Sequence, residues 1–181
     1  MPELTIRDEL LCLPDAGDWD TLARAVGIEV GDLKKRYADA LDQYIKSPKR
    51  VEVEEVTVLE KLTNTFDPGA DFEINKSYTL TVIPGVLAVR VDVGIQPLED
   101  WYGKVTVTAT VFGKNVGTSE AQISRLQSFF EIHPGALVVK ADLKIGLYGE
   151  KLCFGIEGKA CYWGFGWKCQ DFNKQNLFCL K

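Results

Sequence analysis

The chain has 181 residues, 46% of them hydrophobic and 26% charged, and a formal net charge of -5. That length and apolar content suit a domain with its own core and exclude wholesale disorder. The charge is uneven, net -2 over residues 1–50, -7 over 51–100 and +4 over 101–181, and an acidic middle with a mildly basic end argues against a nucleic-acid partner.

The opening stretch "MPELTIRDELLCLPDAGDWD" is acidic where a secretory leader needs bases, and no long apolar run follows it. The expectation is a cytoplasmic protein, or one exported without a signal peptide, and no membrane-spanning helix.

Asp18 or Asp20 can cap a helix running through "TLARAV", which Gly27 ends. A second helix follows, with Val30, Leu33, Tyr37, Leu41, Tyr44 and Ile45 on one stripe. Pro48 then pushes the chain into extended geometry. The expected division is a helical hairpin appendage over 1–48 and a β domain over 49–181. Ala23, Gly27 and Leu33 stand at spacings similar to those of helix-turn-helix units. Trp19 followed by Leu22-Ala23 and Gly27 resembles the paired helices of death-fold adaptor domains. Each resemblance covers fewer than 25 residues. A DNA-reading helix needs bases or amides at its exposed start, whereas Glu29 and Asp32 stand there and phosphates repel them. A plain hairpin covering one end of a sheet is the expected role.

From residue 51 the apolar period changes from 3.6 to 2. "VEVEEVTVLE", "FEINKSYTLTVI", "VLAVRVDVGI", "KVTVTATVFG" and "ALVVKADLKIGL" read as strands separated by Gly, Pro, Asn and Asp clusters. "SEAQISRLQSFFEI" reads as a loop or short turn of helix leading into a strand at 127–132. The fold class expected is mainly β, an antiparallel sandwich preceded by the helical segment. "IPGVLAVRVDVGI" at 83–95 and "HPGALVVKADLKI" at 133–145 align without a gap at an offset of 50. They predict two pseudo-repeated halves that cover each other's apolar faces.

Catalytic signatures are thin. His133 is the only histidine and falls at a turn before Pro134, where a surface role outweighs that of a general base. No serine sits in a nucleophile-turn context, and no glycine-rich run has phosphate-cradling spacing. Glu52 and Glu54 share one strand face, the mark of a solvated surface. "DAGDWD" and "DPGAD" lack the ligand ladder of a calcium loop and serve as cap and turn. The expectation is no enzyme, no cofactor and no metal.

Cys12 stands alone, while Cys153, Cys161, Cys169 and Cys179 come at intervals of 8, 8 and 10. A meander turning at "EGK", "GFG" and "NKQN" sets these four opposite one another on neighbouring strands, where they can form disulfides if the compartment oxidises them. Buried reduced thiols are the alternative. Within "KACYWGFGWKC", an inward Cys161 turns Trp163, Phe165 and Trp167 inward and Tyr162 outward. Gly164 and Gly166 break the strand and release the rings from that alternation. Aromatics beside glycines at a loop tip suit a sugar or a membrane interface. The expected contact surface is Tyr162, Trp163, Phe165 and Trp167, with Trp101 and Tyr102 from the corresponding strand of the first half. The function expected is a non-catalytic binding module, lectin-like or toxin-like, contacting a glycan or membrane surface, with homo-oligomers expected. The alternative is a self-associating structural or adaptor protein that docks through its N-terminal helices.

Overall fold

A computed structural model describes residues 16–46, 52–64, 67, 71–133, 135–136, 139–163 and 167–180. Among them are two helices, α1 (Ala16–Val26) and α2 (Val30–Lys46). Ten strands follow: β1 (Glu52–Val56), β2 (Ile74–Ile83), β3 (Leu87–Gln96), β4 (Tyr102–Val111), β5 (Lys114–Ser124), β6 (Phe129–Ile132), β7 (Gly135–Ala136), β8 (Val139–Tyr148), β9 (Cys153–Trp163) and β10 (Trp167–Cys179). The protein is mainly β, with two antiparallel sheets. One runs β1-β2-β3-β4-β5; the other runs β10-β9-β8-β6, with β7 also paired to β8.

The helical hairpin closes where the sequence breaks. Gly27 adopts φ 71°, a left-handed conformation that costs glycine nothing. Its N–H, 2.9 Å from the Ala23 carbonyl, ends α1. The Trp19 and Tyr37 rings meet edge-on at 5.2 Å and join the two helices. The stripe Leu33, Tyr37 and Leu41 is fully buried. It does not form a separate core. One apolar cluster takes in Trp19, Leu33 and Leu41 together with Ile83, Val89 and Val107 of the first sheet and Leu143, Ile145 and Phe154 of the second. Ala40 lies 3.8 Å from where a Cβ on Gly85 would stand, so α2 rests on the β2–β3 turn.

The segments 84–95 and 134–145 both contribute a long strand. In β3, Val91, Val93 and Ile95 are buried and Asp92 is half-exposed; in β8, Ala141, Leu143 and Ile145 are buried and Asp142 is half-exposed. Period-2 patterning thus puts the same apolar positions inward at the offset of 50.

Three local expectations are corrected. In "SEAQISRLQSFFEI" the residues Ser119–Ser124 are not loop or helix but complete β5; only 125–128 form a loop, and β6 starts at Phe129 rather than 127. "EGK" and "NKQN" are not turns: residues 157–159 lie inside β9 and 173–176 inside β10. The four cysteines therefore sit on one hairpin rather than on a four-stranded meander. Register shifts in β10 between Phe172 and Gln175 and between Asn176 and Phe178 let the strand run on through the polar stretch.

A charged groove on the outer face of the second sheet

Cross-strand register builds a row of polar side chains on the outer face of each sheet. In the first, Ser77 stands opposite Asp92, Asp92 opposite Thr106 and Thr106 opposite Glu120. In the second, Asp142 stands opposite Lys159 and Lys159 opposite Asp171. His133 follows one step beyond the Ile132–Leu143 pair and so faces Asp142.

The first row lies under the chain's own segment after β1. Arg90 Nη2 donates to the Thr57 carbonyl at 3.2 Å. Asn64, itself buried, donates from Nδ2 to the Tyr102 hydroxyl at 3.3 Å. The Phe72 ring fills the place of a side chain at Gly94, where a Cβ would come within 2.5 Å of it. Beneath this cover the charges are matched. Arg90 Nε pairs with Asp92 Oδ1 at 3.2 Å, Ser77 Oγ donates to Asp92 Oδ1 at 2.5 Å, and the nearly buried Lys104 Nζ pairs with Glu120 Oε1 at 3.1 Å.

The second row lines an open groove of about 550 Å³ formed by Glu131, His133, Asp142, Leu143, Lys144, Glu157, Gly158, Lys159 and Asp171. Gly158 lets β9 approach β8 closely, since a Cβ there would run into the Asp142 carbonyl. His133 Nδ1 lies 2.6 Å from Asp142 Oδ1, and Lys159 Nζ lies 3.6 Å from Asp142 Oδ2. The hydrogen bond from His133 holds the Asp142 carboxyl below the ordinary aspartate value. Partial burial opposes that, and the charges of His133 and Lys159 reinforce it. An ionised carboxylate only accepts, so the bond is an Nδ1–H donation. Lys144 Nζ is 4.0 Å from Glu157 Oε1 and also 4.0 Å from the centre of the Phe129 ring. Phe129, 42% exposed, stacks with Tyr148 at 6.3 Å at the groove margin. Burial, followed by the charges of Glu157 and Glu131, pushes the Tyr148 hydroxyl up to about 12.

On the same face two disulfides tie β10 to β9. Cys161–Cys169 and Cys153–Cys179 join directly paired positions, with Cα atoms 4.1 and 3.9 Å apart, and flank the register shifts between them. They clamp an irregular edge strand on both sides of the groove floor.

The aromatic residues singled out from sequence do not converge. Tyr162 is buried, packed edge-on against Tyr44 at 6.4 Å, so the hairpin alternation is the reverse of the expected one: Tyr162 points into the core, away from the outer face. Trp101 is 4% exposed at the far end of the strands, in a cleft shared with Leu98, Arg125 and Leu152. Tyr102 is half-buried, its hydroxyl accepting from Asn64. Trp163 and Trp167 are directly opposite in register. Their side chains, and Phe165 altogether, lie outside the described residues.

The groove residues carried a legible signal that went unused. Outward positions 129, 131 and 133, 142 and 144, and 157 and 159 are all charged or aromatic within otherwise apolar strands.

No family model, curated protein or solved structure matches the chain. Among the described residues, no three His, Cys, Asp or Glu side chains are grouped to hold a metal ion. No helix among them is long and apolar enough to cross a membrane.

Proposed function

We propose that this chain is a non-catalytic binding module of an oxidising compartment, a sandwich of two related halves, whose second sheet presents a glycan-binding face. The observation that carries the reading is the asymmetry between the two outer faces. The first polar row shares its cleft with the chain's own residues Leu59–Thr63, and its Asp92 and Lys104 side chains are only 18% and 9% exposed, while in the second row Asp142 and Lys159 are 41% and 44% exposed and line a groove.

The groove suits a polyhydroxylated ligand. Carboxylates accept hydroxyl protons, the His133 ring and Lys159 fix Asp142 in one orientation, and the exposed Phe129 edge supplies an apolar contact beside them. Among the described residues no Ser, Thr or Cys lines it, so those residues offer no side-chain hydroxyl or thiol nucleophile. The relatedness of the halves is supported by the gapless match at an offset of 50 and by the shared register of Asp92 and Asp142 in their rows. The oxidising compartment is supported by two disulfides clamping one hairpin. The helices' apolar stripe is already taken up in the common core, which favours the sheet face over the helices as the docking surface.

The test is a glycan-binding screen of the intact, oxidised protein beside Asp142→Asn and Phe129→Ala. Binding that both substitutions weaken without lowering the melting temperature sharply supports the reading. Binding that neither changes, or no glycan binding at all, overturns it.

A further inference from the structure

On the outer face of the first sheet, two successive same-face residues of β4 hold hydrogen-bonding capacity that no described residue fills. Cross-strand register sets Thr106 between Asp92 of β3 and Glu120 of β5. Its Oγ1 is nonetheless buried without a hydrogen-bond partner among the described residues. Lys104, two residues earlier and so on the same face, has a side chain only 9% exposed. An ammonium has three donors, and among the described residues Glu120, with Oε1 at 3.1 Å, is its ion-pair partner. A buried polar group left unmet carries a desolvation cost, so protein interiors seldom leave one empty.

Both residues line a cleft of about 430 Å³ between the outer face of β3–β5 and the chain's own Leu59–Thr63. A water takes up about 30 Å³ of liquid, so the cleft holds far more than one bridging molecule. The segment beside it is tied at both ends, by the bond from Arg90 to the Thr57 carbonyl and by that from Asn64 to the Tyr102 hydroxyl. Charges in the lining cancel: Lys61, Arg90 and Lys104 stand against Glu60, Asp92 and Glu120. Neither a bare anion nor a bare cation gains a net attraction there, whereas a molecule carrying one of each sign can meet both. Asp92 is already committed, because Arg90 Nε and Ser77 Oγ both bond to its Oδ1. Glu120 is not: its side chain is 56% exposed, and Lys104 is its ion-pair partner among the described residues.

We propose that this cleft binds a free α-amino acid. Its carboxylate takes up the spare Lys104 donors and the Thr106 hydroxyl, and its ammonium takes Glu120, so the ligand lies head-to-tail against the Lys104–Glu120 pair. Leu59, in the same lining and 81% exposed, offers an apolar contact and favours an apolar side chain on the ligand. The site is separate from the groove on the second sheet, so the two readings can fail independently.

The experiment is isothermal titration calorimetry of the intact, oxidised protein at about pH 6.5, where both charged groups of the ligand are ionised. It compares L-leucine with N-acetyl-L-leucine, which lacks the cation, and with L-leucinamide, which lacks the anion. L-leucine should bind about tenfold or more tightly than either. Thr106→Val keeps the side-chain shape and removes the hydroxyl. It should weaken L-leucine about tenfold while the melting temperature holds or rises, because an unmet buried hydroxyl is gone. Glu120→Gln should narrow the preference over N-acetyl-L-leucine. A merely structural threonine would not separate binding from melting in this way. Absence of L-leucine binding, binding indifferent to Thr106→Val, or equal binding of either blocked form overturns the proposal and leaves the glycan reading untouched.

Discussion

His133 Nδ1 stands 2.6 Å from Asp142 Oδ1, at the position in its row where Ser77 Oγ stands 2.5 Å from Asp92 Oδ1 in the other sheet. The carboxylate at this register thus receives a side-chain donor from the β2 side in one sheet and from the β6 side in the other. Asp142 has a lowered folded pKa, so its contribution to stability is present above the ordinary aspartate range and is lost as pH falls through the folded value. The pair is largely exposed, so the effect is small, below ~1 kcal/mol. Denaturant unfolding should show Asp142→Asn slightly less stable than the parent at neutral pH. That gap should close as pH falls below the ordinary aspartate range and through the lowered folded value. A gap that persists or widens in acid contradicts the ionic account.

The two disulfides should contribute unequally. Cys153 and Cys179 are 26 residues apart, Cys161 and Cys169 only 8. Loop-closure entropy therefore predicts a loss of about 3.5 kcal/mol for the double alanine variant of the outer bond and about 2.5 for the inner one. Thermal melts of the two double variants, with and without reductant, check the order. If the inner bond matters more, the clamp acts through native packing near Tyr162 rather than through chain entropy.

Gly94→Ala should displace the Phe72 ring, because the new methyl would come within 2.5 Å of it. Overpacking of this kind costs about 1–3 kcal/mol. Phe72→Ala in the same background should recover part of that loss, and a double-mutant cycle measures the coupling. Additive losses mean the segment after β1 does not rest on the sheet as described.

Tyr162→Ala should melt early, by the roughly 3–5 kcal/mol typical of a buried aromatic, since it removes the ring that meets Tyr44. Tyr78→Phe should be neutral or slightly stabilising. Its hydroxyl is buried without a partner among the described residues, and burial, helped by the charge of Glu55, pushes its pKa to about 12. An unchanged melt for Tyr162→Ala or a large loss for Tyr78→Phe would reverse these assignments.

Much of the architecture was legible because strands and helices have different apolar periods. The change near Pro48 separated α2 from the strands, and the match of 83–95 to 133–145 found two strands with the same inward positions. What the pattern did not carry was the phase of one hairpin. Tyr162 and Cys161 are both compatible with burial, and a disulfide can hide Cys161, 1% exposed, on the outer face, so alternation alone does not say which points inward. β5 was missed because Lys114–Ser124 is polar on both faces, as an edge strand can afford to be. The groove was missed for a different reason. Each charge reads singly as solvated surface, and only cross-strand register brings His133, Asp142, Lys159 and Asp171 into one line.

The central claim is that the outer face of the second sheet, and not the helices or the aromatic hairpin, is the binding surface. Backbone amide chemical shifts recorded while a glycan selected in the binding screen is titrated into the intact protein test it most directly. The account predicts shifts concentrated at Glu131–His133, Asp142–Lys144, Glu157–Lys159 and Asp171. Shifts centred instead on α1 and α2, on Leu59–Thr63, or on the hairpin around Trp163 and Trp167 would contradict it.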